Sequence, residues 1–421
     1  MGGLPALVGA SASRNGQAVP ATPCGNVPRK CRNNLKQAVL FCTWLGTGIL
    51  IGVTGLVPVV RAEGDWEITP QSEQALARGL QWLIENQGPE GNWQSNDLGL
   101  VSTGALAFLS AGHLPGRGRY GQVAERALDY VIRNVGPSGV LNKADPRRAM
   151  YNHGLSTFVL GQAYGMTGDR RVGPLLDRAL KLIAQTQCDD GGWDYHARRQ
   201  SRGHDLSLAV MQAKALRSAV DSGLEVPPET VELAIKSVRE HYTPKNCSRN
   251  APEEEQRKHP GQFTYRKGGG SSTVAMAAAG VVCLQEFGQY DDWRIEKNLD
   301  VICEAIRKQA APRKMKKGGR APFDAYTLYY VGQALYQVGG EHWRECYPLL
   351  RDSLVTTQVD DPDKARNHGK WQAHQRVSGK PGELYMTSVA CFILAIPNRY
   401  LPILQEGKID SVRQRFGHKE Q

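Results

Sequence analysis

Residues 78–93 read Arg-Gly-Leu-Gln-Trp-Leu-Ile-Glu-Asn-Gln-Gly-Pro-Glu-Gly-Asn-Trp, and residues 179–193 read Ala-Leu-Lys-Leu-Ile-Ala-Gln-Thr-Gln-Cys-Asp-Asp-Gly-Gly-Trp. In both, an amphipathic helical stretch ends in Gln (Gln87, Gln187), a tight turn containing Gly follows, and a Trp stands six residues after the Gln (Trp93, Trp193). A third copy keeps Gln358 and Gly369-Lys370-Trp371 around an insertion. A fourth stretch, Asn134–Gly139, has lost both landmarks. The Gln is suited to bonding unpaired carbonyls at a helix end. The Gly permits a left-handed turn, and the Trp brings a large ring to pack on the neighbouring repeat. Gln87, Trp93, Gln187, Trp193 and Trp371 are therefore expected to be structural staples.

Working outward, helical periodicity fills residues 70–404, and no alternating strand pattern stands out. The helices come in pairs. The first member is amphipathic with a charged face, at about 70–86, 119–133, 171–186, 228–241, 293–309 and 341–357. The second is rich in Ala, Val, Leu, Thr and Ser, at about 101–112, 154–166, 205–220, 272–287, 324–338 and 384–396. A helix apolar on nearly every side must be buried on nearly every side. Six polar helices outside six apolar ones, with no end left to cap, predict an all-α fold: an (α/α)6 toroid of six outer and six inner helices.

The Gln-to-Trp repeats resemble the QW motifs of squalene-hopene cyclases, whose toroid is shared with protein prenyltransferase β subunits. Tyr151-Asn152-His153-Gly154 and Tyr336-Gln337-Val338-Gly339-Gly340 are similar to stretches of a bacterial group of exported QW-repeat proteins. The resemblance covers about residues 66–404 and implies the toroid, not a reaction. Cyclases of this type protonate an alkene with an Asp-x-Asp-Asp-Thr array at the start of an inner helix. Here the matching stretch is Arg202-Gly203-His204-Asp205-Leu206-Ser207, with Asp205 alone. Asp360-Asp361-Pro362-Asp363 falls in a loop. Aromatics are 7% of residues, few for steering a carbocation. No Asp-x-Cys supplies the zinc site of prenyltransferases, and no Gly-Cys-Gly-Glu-Gln supplies a thioester.

The inner helices should run parallel, with their N-termini at one rim. The catalytic candidates there are His204, Asp205, Asp324 and Glu383. The ligand-rim candidates are His153, Tyr265, Arg266, Trp371, His374 and Tyr385, with Thr273, His259, His368 and Arg376 nearby. Helix N-termini favour anions, so such a rim would suit an acidic sugar, a peptide or an anionic lipid head. No two of these His stand at helical i, i+4 spacing. The reading therefore calls for no metal and no cofactor.

Charge and cysteines bound the setting. Net charge is +11, but residues 1–62 carry six bases and no acid, which leaves 46 bases against 41 acids in the remainder. That balance does not point to nucleic acid. The run Arg313, Lys314, Lys316, Lys317 and Arg320 has no interleaved aromatics and reads as a solvated loop. Ala38–Val60 is uncharged and follows basic residues, as a signal peptide or transmembrane anchor would. The expected organisation is a disordered basic region (1–37), a signal or anchor (38–62), the toroid (63–406) and a basic tail (407–421). The chain is expected to be exported or periplasmic, and to be held at the membrane if residues 38–60 are retained. Six scattered cysteines beyond residue 62 form no disulfide framework. The favoured expectation is a toroid binding an apolar or amphiphilic ligand, such as a lipid or isoprenoid. The alternatives are a terpene cyclase-like isomerase and a lyase or hydrolase on polysaccharide.

Overall fold

The computed structural model describes residues 66–311, 315–363, 367–374 and 382–405. The expected leader and anchor (1–62), the basic tail (407–421), and Arg313, Lys314 and Arg376 lie outside the described residues. No helix among the described residues is long and apolar enough to cross a membrane.

The fold is all-α. The outer helices are α1 (Pro70–Asn86), α3 (Gly118–Arg133), α5 (Gly173–Thr186), α7 (Pro228–Arg239), α10 (Arg294–Gln309) and α12 (Gly340–Thr357). The inner helices are α2 (Leu98–Ser110), α4 (Ala149–Thr167), α6 (Leu206–Asp221), α9 (Val274–Glu286), α11 (Ala325–Val338) and α13 (Gly382–Ala395). Each inner helix packs on the next, and α13 packs on α2, so the inner ring closes. The inner helices are buried along almost their whole length, as their lack of a polar face requires: in α2 every residue but Leu100 is buried. Close approach is built from small residues. A Cβ on Gly161 of α4 would stand 2.2 Å from the Ser218 hydroxyl of α6.

The staples recur with the same geometry. The Gln87 Nε2 donates to the carbonyls of Gly91 (3.3 Å) and of Val123 in the next outer helix (2.7 Å). The Gln187 Nε2 donates to Gly191 (3.1 Å) and Thr230 (2.9 Å). Each Trp indole N–H returns to its own outer helix, Trp93 to the Leu83 carbonyl at 2.8 Å and Trp193 to Ile183 at 2.9 Å. In the copy with the insertion, Gln358 donates to Gly369 and to Ala75 of α1, both at 2.8 Å, and Trp371 donates to Leu354 at 2.8 Å. The turn needs glycine for two reasons. Gly91, Gly191 and Gly369 have φ of +82°, +80° and +90°, and a Cβ on any of them would strike the carbonyl of the next outer helix.

Two features differ from the sequence reading. A short antiparallel hairpin pairs β1 (Tyr242–Pro244) with β2 (Gly261–Phe263) around a one-and-a-half-turn helix, α8 (Glu253–Lys258), in a region expected to be loop. His153 is not at the rim. Its ring is fully buried, with Nδ1 accepting from the Leu141 N–H (3.1 Å) and Nε2–H donating to the Ala179 carbonyl (3.0 Å). It stands where the repeat after α3 has lost its Gln and Trp, and it ties loop, inner helix and α5 together in their stead. Burial lowers its pKa to about 4, so the ring is neutral.

The barrel interior is filled. Phe158, Tyr329, Tyr330 and Phe392 are fully buried. Among them Lys214 of α6 pairs with Glu286 of α9 at 3.1 Å, and its ammonium lies 4.3 Å from the centre of the Phe158 ring. The far end of the barrel is corked by residues 401–404, held by Ile403 N–H to Gln162 Oε1 (3.0 Å) and Tyr336 OH to the Leu404 carbonyl (2.6 Å).

Candidate functional site

At the opposite end, the N-termini of the inner helices open onto a funnel of about 1240 Å³. All six contribute: Leu100 from α2, Tyr151, Asn152 and Leu155 from α4, Ser207 and Met211 from α6, Met276 from α9, Tyr326 from α11 and Tyr385 from α13. The connecting loops add Asp145, Arg147, Arg148, Tyr195, Tyr265, Arg320, Asp324 and His374.

Helix capping places the carboxylates. Asp97 accepts from the Leu100 N–H (3.1 Å) and Asp324 from the Thr327 N–H (3.1 Å) and hydroxyl (2.9 Å), as N-cap residues do. Asp97 also meets Arg148 at 3.2 Å, and Asp145 meets Arg147 at 2.9 Å. The Arg147 side chain holds the Asp145 carboxyl below its usual range. The funnel therefore presents acids and guanidiniums in adjoining pairs.

A hydroxyl network surrounds the third cap, Asp205. Its carboxylate accepts from the Leu208 N–H (3.2 Å), the Ser207 hydroxyl and the Tyr195 hydroxyl. Tyr195 OH lies 2.5 Å from Tyr265 OH, and Tyr151 OH bonds Ser207. Burial, and then the Asp205 charge, push the Tyr195 and Tyr265 phenols upward. Burial raises Tyr151, Tyr326 and Tyr385 as well. All five phenols on the funnel thus stay protonated near neutral pH and act as hydrogen-bonding groups and ring faces, not as bases. His374 is different. Burial lowers its pKa, and its buried Nδ1 has no partner among the described residues.

Of the sequence candidates, Asp324, Tyr265, His374 and Tyr385 line the funnel. Asp205 is buried just behind it and reaches it through Tyr195 and Ser207. Glu383 instead pairs with Lys370 at 2.7 Å and is not in the lining. Trp371 is fully buried as a staple and does not serve the rim. His204 and Arg266 are exposed and face a second groove. Sequence reasoning assigned no site role to Asp97, Arg147, Arg148, Tyr151 and Tyr195, and did not single out Tyr326 from the other aromatics of the inner helices. For Asp97 a signal existed, since it precedes its inner helix as Asp205 and Asp324 precede theirs. Among the described residues no group of three or more His, Cys, Asp or Glu is arranged to hold a metal.

No family model matches the chain, and no curated protein sequence matches it. Solved structures do match in fold. Cellobiose 2-epimerase from Spirochaeta thermophila superposes with a TM-score of 0.53 at 13% identity, over 78% of this chain and 95% of that one. An unsaturated glucuronyl hydrolase specific for heparin gives 0.51 at 12% identity, over 77% and 96%. A variant of the type II terpene cyclase MstE from Scytonema gives 0.49 at 14%, over 78% and 98%. At these identities the likeness shows the fold, an (α/α)6 toroid.

Proposed function

We propose that the funnel binds carbohydrate, receiving the end or a short stretch of a glycan, and that it does so outside the cytoplasm. The observation that carries this reading is the lining: five protonated tyrosines, with carboxylate–guanidinium pairs between them, around an open mouth. A sugar ring needs flat faces for its C–H surfaces and alternating donors and acceptors for its hydroxyls. Tyr supplies both, and the Asp–Arg pairs supply the rest. Two solved structures of this fold carry sugar-active names; that is an analogy of scaffold, and the funnel chemistry bears the weight. The extracytoplasmic setting rests on the basic flank and the uncharged run 38–60.

Depth argues against a long isoprenoid. Leu155 of the floor lies just over one helical turn below Tyr151, about 6 Å along the axis. Beneath it the barrel is packed with Phe158, Lys214, Tyr329 and Tyr330. The apolar floor of Leu155, Met211 and Met276 favours a second reading, an amphiphile with a short apolar end.

The test is calorimetric titration of the full-length protein with a panel of neutral and acidic oligosaccharides, beside short-chain amphiphiles. We expect saturable glycan binding that weakens about tenfold in Tyr265→Ala and Tyr151→Ala, on the scale of one lost aromatic contact and hydrogen bond. Binding of the amphiphiles and of no glycan would reverse the choice between the two readings.

A further inference from the structure

A second groove of about 930 Å³ opens beside the funnel, lined by residues 202–204 and 266–267 of the loops that lead into α6 and α9. Seven Arg or Lys side chains line it against three carboxylates. Two of those carboxylates, Asp190 and Glu240, are taken by Lys267 at 2.8 and 3.1 Å; the third is Glu232. Arg239 and Arg294 are engaged by Asp292 at 2.8 and 3.0 Å. Arg202, Lys236 and Arg266 are exposed and form no ion pair among the described residues. Exposed cations left unpaired along a concave surface concentrate positive potential there.

Funnel and groove share one thin wall. Tyr265 faces the funnel, and the next residue, Arg266, faces the groove. Tyr195 lines the funnel, and its ring lies 4.4 Å from that of His204, which lines the groove. A chain seated in the funnel and leaving over this wall passes directly onto the unpaired cations. Within the funnel Arg148 and Arg147 pair with Asp97 and Asp145, and Asp324 balances Arg320 in number, so the funnel alone selects for hydroxyls more than for charge.

We propose that the ligand is an acidic polysaccharide, carboxylated or sulfated along its length, whose end sits in the funnel and whose following units lie in the groove against Arg202, Lys236 and Arg266. The proposal rests on the carbohydrate reading of the funnel and deepens it. Repeating anions at sugar spacing are what a line of exposed Arg and Lys recognises, and Arg suits carboxylate and sulfate oxygens by its planar fork.

The experiment measures Kd of the full-length protein for oligouronates from disaccharide to octasaccharide, for neutral glucans of the same lengths, and for a single-stranded oligonucleotide of matched charge. The expected result is affinity that rises with length for the oligouronates only. In Arg202→Gln/Lys236→Gln/Arg266→Gln the octasaccharide should lose about tenfold, the scale of three exposed ion pairs, with the disaccharide unchanged. Raised salt should erase the same increment. Circular dichroism and the melting midpoint verify that the variant folds. Disaccharide binding with no gain for longer oligouronates, or a gain that survives the triple substitution, overturns the groove while leaving the funnel reading intact. Binding of no oligosaccharide at any length overturns both. Oligonucleotide binding as tight as the octasaccharide's overturns the assignment to polysaccharide.

Discussion

Gln358 donates to the carbonyl of Ala75, 283 residues earlier in the chain, and this bond joins the last outer helix to the first. The same Gln accepts from Arg78 of α1 at 3.0 and 2.7 Å, as Gln87 accepts from Arg126 of α3. The copy of the repeat that carries an insertion between its Gln and Trp therefore closes the ring, with the same bonds that join α1 to α3.

Breaking this closure should cost as much as breaking an interior staple. Trp371→Ala and Trp193→Ala each remove a fully buried ring, at about 3–5 kcal/mol. Gln358→Ala leaves two carbonyls and a guanidinium without their partner, about 1–3 kcal/mol. His204→Ala, on the exposed side of the wall, should change the urea midpoint little. A Trp371→Ala midpoint equal to the parent's would mean that the ring is not held by this bond set.

His153 gives the toroid a pH dependence. Its folded pKa, about 4, lies below the unfolded value of 6.5, so the unfolded chain binds the extra proton first. The stability it contributes is whole above pH 6.5 and is lost as pH falls from 6.5 toward 4, by about 3 kcal/mol. His241, whose pKa burial also lowers to about 4, acts with the same sign. Denaturant unfolding between pH 4 and 7 should show a shallower slope in His153→Gln than in the parent. Identical slopes would remove His153 from the account.

Lys214 and Glu286 test the buried charge pair. Lys214→Ala strands Glu286 with only the Gln337 amide at 2.8 Å, at about 3–5 kcal/mol. Lys214→Met combined with Glu286→Gln keeps volume and an acceptor for Gln337, and should recover most of that loss. A double variant no more stable than Lys214→Ala would show that the pair itself, not the avoidance of a stranded charge, stabilises the barrel.

Full-length protein incubated with squalene in detergent should yield no cyclic product by mass spectrometry. Asp205 is an N-cap whose carboxylate oxygens are taken up by the Leu208 N–H and the Ser207 and Tyr195 hydroxyls, behind the funnel lining. An enzyme-dependent polycycle that vanishes in Asp205→Asn would restore a cyclase.

The toroid was legible because the helix pairs differ so plainly in polarity: α2 and α9 carry no charge before Glu286, while α10 reads charged on one face. The rim was half legible. Asp324 and Asp205 stand out as caps, but a His that lines a cavity and a His that staples two helices have the same local context, and His153 was misplaced for that reason. Tyr151 stood out only within a stretch quoted for a family resemblance, and Tyr326 lies in an inner helix whose apolar run does not mark which aromatic faces the cavity. The β1–β2 hairpin was missed because each strand is three residues long and Pro borders or ends the pairing at Pro260 and Pro244.

The packed barrel interior, corked at its far end by residues 401–404, makes the funnel a cul-de-sac. A polymer cannot thread through the ring and slide onward, as it could through an open pore; it has to enter and leave by one door. For a glycan bound as proposed this means a tip-in, tail-out pose, in which a terminus is engaged and the remainder stays outside. Any turnover on such a scaffold would proceed from chain ends, one withdrawal and re-entry at a time, and its rate would depend on the number of ends in solution rather than on the mass of polymer.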